Sequence, residues 1–261
     1  MTDRLPNSSA YKRELERDKR VQQAEELLYS GAAGKSIAKE LFHGRFATNL
    51  VLPYPQLSSA DQPKVDSALQ QLRAFCDANL RPDEIDRQAD IPRHVIDGLG
   101  QLGLLGMTAP VAHGGQGFSQ LAYCRMMEEL GGRCGSTAIF VNANHSIGMR
   151  ALLLFGTDMQ QRRWLPDLVA GRKLAAFALT EAQAGSDASN VQTTATPSED
   201  GSRYLLNGEK RYITNGAIAD MLTVMARTPV PGRSEPAITA FLVTPDMPGF
   251  RGVEPRMEKL G

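Results

Sequence analysis

The chain has 261 residues, of which 42% are hydrophobic, and its 29 basic side chains balance its 29 acidic ones. A chain of this length and apolar content can bury a sizeable core, and its length predicts two domains rather than one. The zero net charge excludes a general electrostatic attraction to nucleic acid or to an anionic membrane surface, without excluding local basic patches.

The N-terminus and the cysteines point to a cellular compartment. Residues 1–28 lack an apolar core segment and mix acids with bases, which is unlike a secretory signal or a transit peptide. Cys76, Cys124 and Cys134 form no C-x-x-C pair, so neither a disulfide framework nor a zinc site is predicted. No run approaches the length of a membrane span. We therefore expect a protein of the reducing cytoplasm.

Helical patterns follow one another as far as residue 172. The charged segment over residues 10–30 has few apolar positions and predicts an exposed helix or one that docks on a partner. After a candidate N-cap at Ser59 or Asp61, apolar residues recur at helical spacing, as Val65, Leu69, Leu72 and Phe75. The patterns predict an N-terminal helical extension over residues 1–57 and an all-α domain over residues 58–172.

Beyond residue 172 the pattern changes to short β-branched and apolar runs separated by Gly, Pro, Asn and Asp. Turns at Glu199-Asp200-Gly201 and at Asn207-Gly208 predict hairpins, and the Asn-Gly pair is the strong local signal. Two further runs, residues 219–229 and 237–245, predict additional strands. Strands that follow helices favour the α+β class. We expect residues 173–261 to form a mostly antiparallel β-barrel or sandwich.

Motifs of two other enzyme classes do not occur. There is no G-x-S-x-G sequence, so a serine hydrolase of that type has no support. The histidines share no metal-helix spacing, and packing or solvent exposure is the expected role of His43, His94, His113 and His145. No metal site is predicted.

A cluster of small and hydroxyl residues follows an apolar run within Leu174 to Ser189, LAAFALTEAQAGSDAS. Small side chains leave backbone donors open to a ligand, although a plain strand and loop explains the pattern about equally well. A second cluster, EKRYITNG, places an aromatic ring at Tyr212 close to the hydroxyl of Thr214, on a predicted strand. Together they could stack on a heterocycle and hydrogen-bond its edge.

With these residues the sequence resembles the acyl-CoA dehydrogenase family, from about Ser58 to Gly261. The middle-domain motifs are AFALTEAQAGSD, LNGEKRYITNG, AITAFLVTPDMPGF and MEKLG. The N-terminal helical domain is matched by LGLLGMTAPVAHGGQGFS and by the run from HSIGMRALLLFGT to KLAAFALTE. The lead-in LFHGRFATNLVLPYP is similar to that of the very-long-chain members, which favours that branch. Two positions depart from the family pattern, Asn190 in place of a small residue and Tyr212 in place of tryptophan.

The resemblance implies FAD as the cofactor and α,β-dehydrogenation of a fatty acyl-CoA to the trans-2-enoyl-CoA as the reaction. It also implies an electron-transfer flavoprotein as the electron acceptor and a homo-oligomer when the protein is full length. The implied flavin-binding residues are Phe177, Ala178, Leu179, Thr180, Gly185, Ser186, Tyr212, Ile213 and Thr214. Ser186 would also contact the acyl-CoA substrate, Tyr212 would cover the ring, and Thr214 would approach flavin N5.

The family continues with a C-terminal helical bundle that carries the catalytic glutamate. We therefore expect no catalytic base in this chain, which would be an N-terminal portion with little activity alone. Nothing marks Glu181 as the base. Two alternatives stay open: an acyl-CoA oxidase of the same fold, and a non-catalytic flavin-binding or acyl-CoA-binding fragment. The missing base favours the second alternative, whereas the intact motifs disfavour it.

Overall fold

The computed structural model describes residues 36–42, 44–252 and 257. The predicted helix over residues 10–30 and His43 lie outside the described residues. The chain divides into two compact units, Met1–Gln56 and Leu57–Gly261. In the first unit, helix α1 covers Ile37–Phe42 and a 3₁₀ turn covers Thr48–Leu50.

The helices of the second unit begin with α2, whose buried residues repeat the spacing seen in the sequence. Val65, Leu69, Leu72 and Cys76 form its buried face, and Asp61 occupies its N-cap position. The helices are α2 (Gln62–Asn79), α3 (Pro82–Gln88), α4 (Arg93–Gln101), α5 (Gln120–Arg133), α6 (Gly135–Asn142), α7 (Arg150–Phe155) and α8 (Asp158–Val169). Helix α8 starts from a capping box, in which the Thr157 side chain accepts a bond from the Gln160 N–H and the Gln160 side chain accepts one from the Thr157 N–H.

A π-helical turn, Ala143–Gly148, joins α6 to α7. The resulting run, Gly135–Phe155, is the one helix among the described residues that is long and apolar enough to cross a membrane by length and composition. Half of its most apolar window is buried inside the fold, as in core helices, so it is weak evidence for a span. The prediction that no run approaches that length is wrong, because three short helical pieces join into one apolar stretch.

The strands within the described ranges form one five-stranded mixed sheet. They are β1 (Ala175–Ala178), β2 (Thr194–Pro197), β3 (Tyr204–Asn207), β4 (Met221–Thr228) and β5 (Ala237–Val243). Strand β4 pairs with β5 in antiparallel fashion along most of its length, and with β1 and the start of β2 in parallel. Strand β2 pairs with β3 in antiparallel fashion. The longest ladder, between β4 and β5, and the ladder between β2 and β3 match the antiparallel prediction, but the parallel pairing of β1 and β2 with β4 makes the sheet mixed.

The two predicted hairpin turns have opposite outcomes. The turn at residues 199–201 is confirmed, since β2 and β3 flank it and Gly201 adopts a φ of 69°. The predicted hairpin at Asn207-Gly208 is wrong, because β3 ends at Asn207 and pairs with no later strand among the described residues. A Cβ at Gly208 would lie 2.7 Å from Thr193 Cα, so this glycine permits a close backbone approach.

Helices and sheet share apolar cores within the second unit. One cluster packs residues of α7 and α8, including Leu152 and Leu165, against Ala175 of β1 and Met221 of β4. A Cβ at Gly148 would lie 2.7 Å from the carbonyl oxygen of Ala175, so the π-helical turn lies directly against β1. This packing holds the start of β1, the strand that leads into the predicted site.

Candidate functional site

The site begins where β1 ends. Ala178 is buried and Phe177 is half-buried, and the chain then leaves the sheet through Leu179 and Thr180. The carbonyl of Thr180 accepts a hydrogen bond of 2.8 Å from the Arg211 N–H. The amide N–H and the hydroxyl of Thr180 bond to no other residue in the described part of the chain. Half-buried donors of this kind are available to a ligand.

A buried carboxylate lies beside this strand end. Glu181 is 5% exposed, and its Oε1 accepts bonds from Lys210 Nζ at 2.7 Å, the Thr193 hydroxyl at 2.5 Å and the Thr193 N–H at 3.0 Å. Its Oε2 accepts a bond of 2.5 Å from the Gln192 N–H. Burial disfavours the charge, but these donors outweigh it and lower the pKa of Glu181 to about 2.

The loop after Glu181 exposes its backbone. It turns back at once, with Glu181 N–H donating to the carbonyl of Ala184. Gly185 and Ser186 are exposed, and a Cβ at Gly185 would have no described residue within 4 Å other than its chain neighbours. Asn190 donates from Nδ2 to the carbonyl of Gln183 at 3.0 Å. This bond gives the departure at Asn190 a structural role, because the amide closes the loop.

The second predicted cluster is a loop and not a strand. Tyr212 and Asn215 have φ values of 55° and 63°, in the left-handed region that an extended strand cannot contain. The prediction that Tyr212 and Thr214 lie on a strand is therefore wrong. Tyr212 is 57% exposed, and the Arg211 guanidinium lies 5.5 Å from the centre of its ring. Thr214 is exposed and Ile213 is half-buried.

The two predicted clusters nevertheless meet. The Arg211 N–H bonds to Thr180, and Lys210 Nζ bonds to the carbonyl of Leu179 at 3.0 Å. The pairing of Lys210 with Glu181 was not predicted from the sequence, because 29 residues separate the two. The sequence did carry one signal, a basic residue in EKRYITNG and an acidic residue in LTEAQAGSD. Burying either charge alone would be costly, so the two could be expected to pair.

A buried histidine lies outside this cluster, on the π-helical turn. His145 Nε2 accepts a bond of 3.0 Å from the Thr108 N–H, so the ring proton resides on Nδ1. The ring stacks on Tyr123 with centres 4.8 Å apart. Burial, aided by the charge of Arg150, lowers the pKa of His145 to about 4. His145 therefore packs as a neutral ring.

Two family models match most of the chain. The acyl-CoA dehydrogenase N-terminal domain matches residues 63–172, and the acyl-CoA dehydrogenase middle domain matches residues 176–261. These matched ranges agree with the helical region and the mixed sheet described above.

Individual proteins give the same result. The probable acyl-CoA dehydrogenase FadE10 of Mycobacterium tuberculosis is 41% identical over 91% of this chain and 36% of its own length. The human mitochondrial very long-chain specific acyl-CoA dehydrogenase is 36% identical over 88% of the chain and 36% of its own length. A Bacillus anthracis acyl-CoA dehydrogenase solved with FAD superimposes with a TM-score of 0.66 and 34% identity, over 74% of this chain and 32% of that one. The chain spans about a third of the length of these curated relatives.

Proposed function

Because the chain belongs to the acyl-CoA dehydrogenase family, we propose that it forms part of an FAD-dependent enzyme that dehydrogenates a fatty acyl-CoA between its α and β carbons. The observation that carries this proposal is the junction of two loops, where Arg211 bonds to Thr180. The proposal is supported by the N–H and hydroxyl of Thr180, which bond to no other described residue, and by the exposed side chain of Tyr212, which follows Arg211 in the chain. The product would be the trans-2-enoyl-CoA.

The residues at the junction fit a flavin. An isoalloxazine has two flat apolar faces and a polar edge, so a binding site needs a ring-covering group and edge-directed donors. The exposed ring of Tyr212 suits a face, and the N–H and hydroxyl of Thr180 suit the edge. The open backbone at Gly185 admits close approach of a bulky group. Ile213 and Phe177 would add apolar contact around the ring.

The chain's own groups would bind and orient both ligands. When bound, FAD supplies the acceptor for the hydride that leaves the β carbon. The hydroxyl of Thr214 would hydrogen-bond the ring nitrogen that gains negative charge, which stabilises the reduced state. The hydroxyl of Ser186, exposed on its loop, would contact the acyl-CoA substrate.

Glu181 does not supply the base for this reaction. Removal of an α proton needs a carboxylate with a free lone pair in a water-excluded position. Glu181 is buried, but its oxygens accept bonds from Lys210, Thr193 and Gln192, and its pKa of about 2 makes it a weak base. We assign the base to a segment outside the described residues.

We also propose that the sheet closes into a barrel.

The acceptor and the location are also part of the proposal. We expect electrons to pass to an electron-transfer flavoprotein in the reducing cytoplasm, where Cys76, Cys124 and Cys134 would stay unpaired as they are in the structure. Slow reoxidation of the reduced flavin by air would favour this acceptor, whereas rapid reoxidation would favour an acyl-CoA oxidase. A homo-oligomer is expected for the active protein.

The first experiment is titration of the purified chain with FAD, in which binding is detected by the quenching of flavin fluorescence. We expect saturable binding, weakened about fivefold to tenfold by Thr180→Val, which removes one hydroxyl at constant shape. Thr196→Val is the matched control, since Thr196 is an exposed strand residue. Absence of FAD binding by the unmodified chain, or equal effects of the two variants, would contradict the proposal.

A further inference from the structure

Lys210 occupies an unusual position for a lysine. Its side chain is 11% exposed and its Nζ bonds both to the Glu181 carboxylate, at 2.7 Å, and to the carbonyl of Leu179, at 3.0 Å. The side chain of Glu181 is more enclosed still, with 3% of it exposed. Buried ion pairs of this kind rarely add net stability over an apolar pair of the same volume. The geometry therefore needs another explanation.

The pair connects three separate segments of the chain. Glu181 follows β1, its donors Gln192 and Thr193 precede β2, and Lys210 follows β3. One carboxylate thus holds the ends of three connections at a single point. The close approach of Gly208 to Thr193 brings the third segment there by backbone packing as well.

The pair also contacts the backbone that we propose binds the flavin. Lys210 occupies the carbonyl of Leu179, and the next residue along the chain, Arg211, occupies the carbonyl of Thr180. Two consecutive carbonyls are therefore bound by two consecutive residues of the other loop. The carbonyls of Leu179 and Thr180 are therefore bonded already. The N–H and the hydroxyl of Thr180 bond to no other described residue and stay available to a ligand.

We infer that Lys210 is a positioning residue, whose ion pair with Glu181 locks the loop after β1 to the loop at 210–214 so that both form one flavin-binding surface. Lys210 need not touch the flavin for this role. The inference rests on the proposed function for the identity of the ligand. The locking itself is a property of the flavin-free protein, and it can be measured without FAD.

The first arm of the test is hydrogen exchange of the flavin-free chain. In Lys210→Met we expect at least tenfold faster exchange at Arg211 and at residues 181–184, with β4 unchanged. Arg93→Met is the matched control, since it breaks an exposed ion pair with Asp97. Unchanged exchange at both loops, or equal acceleration throughout the sheet, would overturn the inference, the latter because it would indicate a purely structural role.

The second arm measures FAD affinity in two further variants. Lys210→Met alone leaves Glu181 as a buried charge without its cation, so the double variant Glu181→Gln/Lys210→Met guards against failure to fold. We expect the double variant to unfold at a temperature near that of the unmodified chain and to bind FAD about tenfold more weakly, because the Leu179 carbonyl has lost its donor. Lys210→Arg should recover most of the affinity. A folded double variant with unchanged affinity would overturn the inference.

The two arms separate the inference from the proposed function. If the unmodified chain does not bind FAD, the proposed function fails, and hydrogen exchange alone decides whether Lys210 locks the loops. If the chain binds FAD, but either exchange at both loops is unchanged in Lys210→Met or FAD affinity is unchanged in the folded double variant, the positioning role fails and the proposed function stands.

Discussion

Acid sensitivity traceable to His145 is the most quantitative prediction from this structure. His145 is 6% exposed, stacks on Tyr123 and accepts a bond from the Thr108 N–H at Nε2. Protonation would place a charge in the core and remove that acceptor. Burial, with the charge of Arg150, lowers the pKa of His145 from 6.5 to about 4 in the folded chain.

The magnitude follows from linkage. Between pH 6.5 and about 4 the unfolded chain binds a proton at His145 that the folded chain refuses, so stability falls as the pH falls. The full loss is about 3 kcal/mol at about 1.4 kcal/mol for each pH unit. About 2 kcal/mol of it is lost between pH 7 and pH 5. That amount is a large fraction of a typical domain's stability.

The assay is urea unfolding at pH 7 and at pH 5, monitored by circular dichroism. His145→Gln removes the titration but keeps an acceptor, so the variant should lose about 2 kcal/mol less than the unmodified chain between the two pH values. His94→Gln is the control, because His94 is exposed. Equal pH dependence of the unmodified chain and His145→Gln would refute the argument from burial.

Two further predictions concern a close contact and an acid. Gly148→Ala should destabilise the fold by about 1–3 kcal/mol, because the new Cβ meets the carbonyl of Ala175 at 2.7 Å. Gly132→Ala, a helical control with nothing within 4 Å, should be neutral or stabilising by about 0.5–1 kcal/mol, and equal thermal unfolding of both variants would disprove this contrast. Because the pKa of Glu181 is lowered, its contribution to the free energy of unfolding is present above pH 4.5 and is lost as the pH falls to about 2. Over that pH interval, Glu181→Gln should therefore lose less unfolding free energy than the unmodified chain. An equal dependence on pH in the two proteins would contradict the lowered pKa of Glu181.

Local patterns in the sequence predicted those elements whose partners are near in the chain. The apolar spacing in α2 was sufficient because a helix repeats its buried face every three to four residues. The turn at 199–201 was also sufficient, since Asp200 accepts bonds from Ser198 and Ser202 within the turn itself. In both cases the interactions that specify the element lie within a few residues of it.

Local propensity failed at Asn207-Gly208, where distant packing determines the conformation. The Asn-Gly pair favours a tight hairpin, but the chain uses Gly208 to pass against Thr193 and then continues as a loop. The positive φ of Tyr212 is likewise incompatible with the strand that its neighbours predict. Alternation of residue types cannot signal a backbone contact made with a segment far away in sequence.

The order of amino acids determined the family motifs, the helical and β halves, and the kinds of group available at the site. Hydroxyl, aromatic and small residues in LTEAQAGSD and RYITNG carry that information directly. The folded chain determined which of those groups have partners. Lys210 meets Glu181 across 29 residues, and His145 loses its charge in a core built from several helices. Protonation and hydrogen-bond saturation depend on neighbours in space, which the linear spacing of residues does not specify.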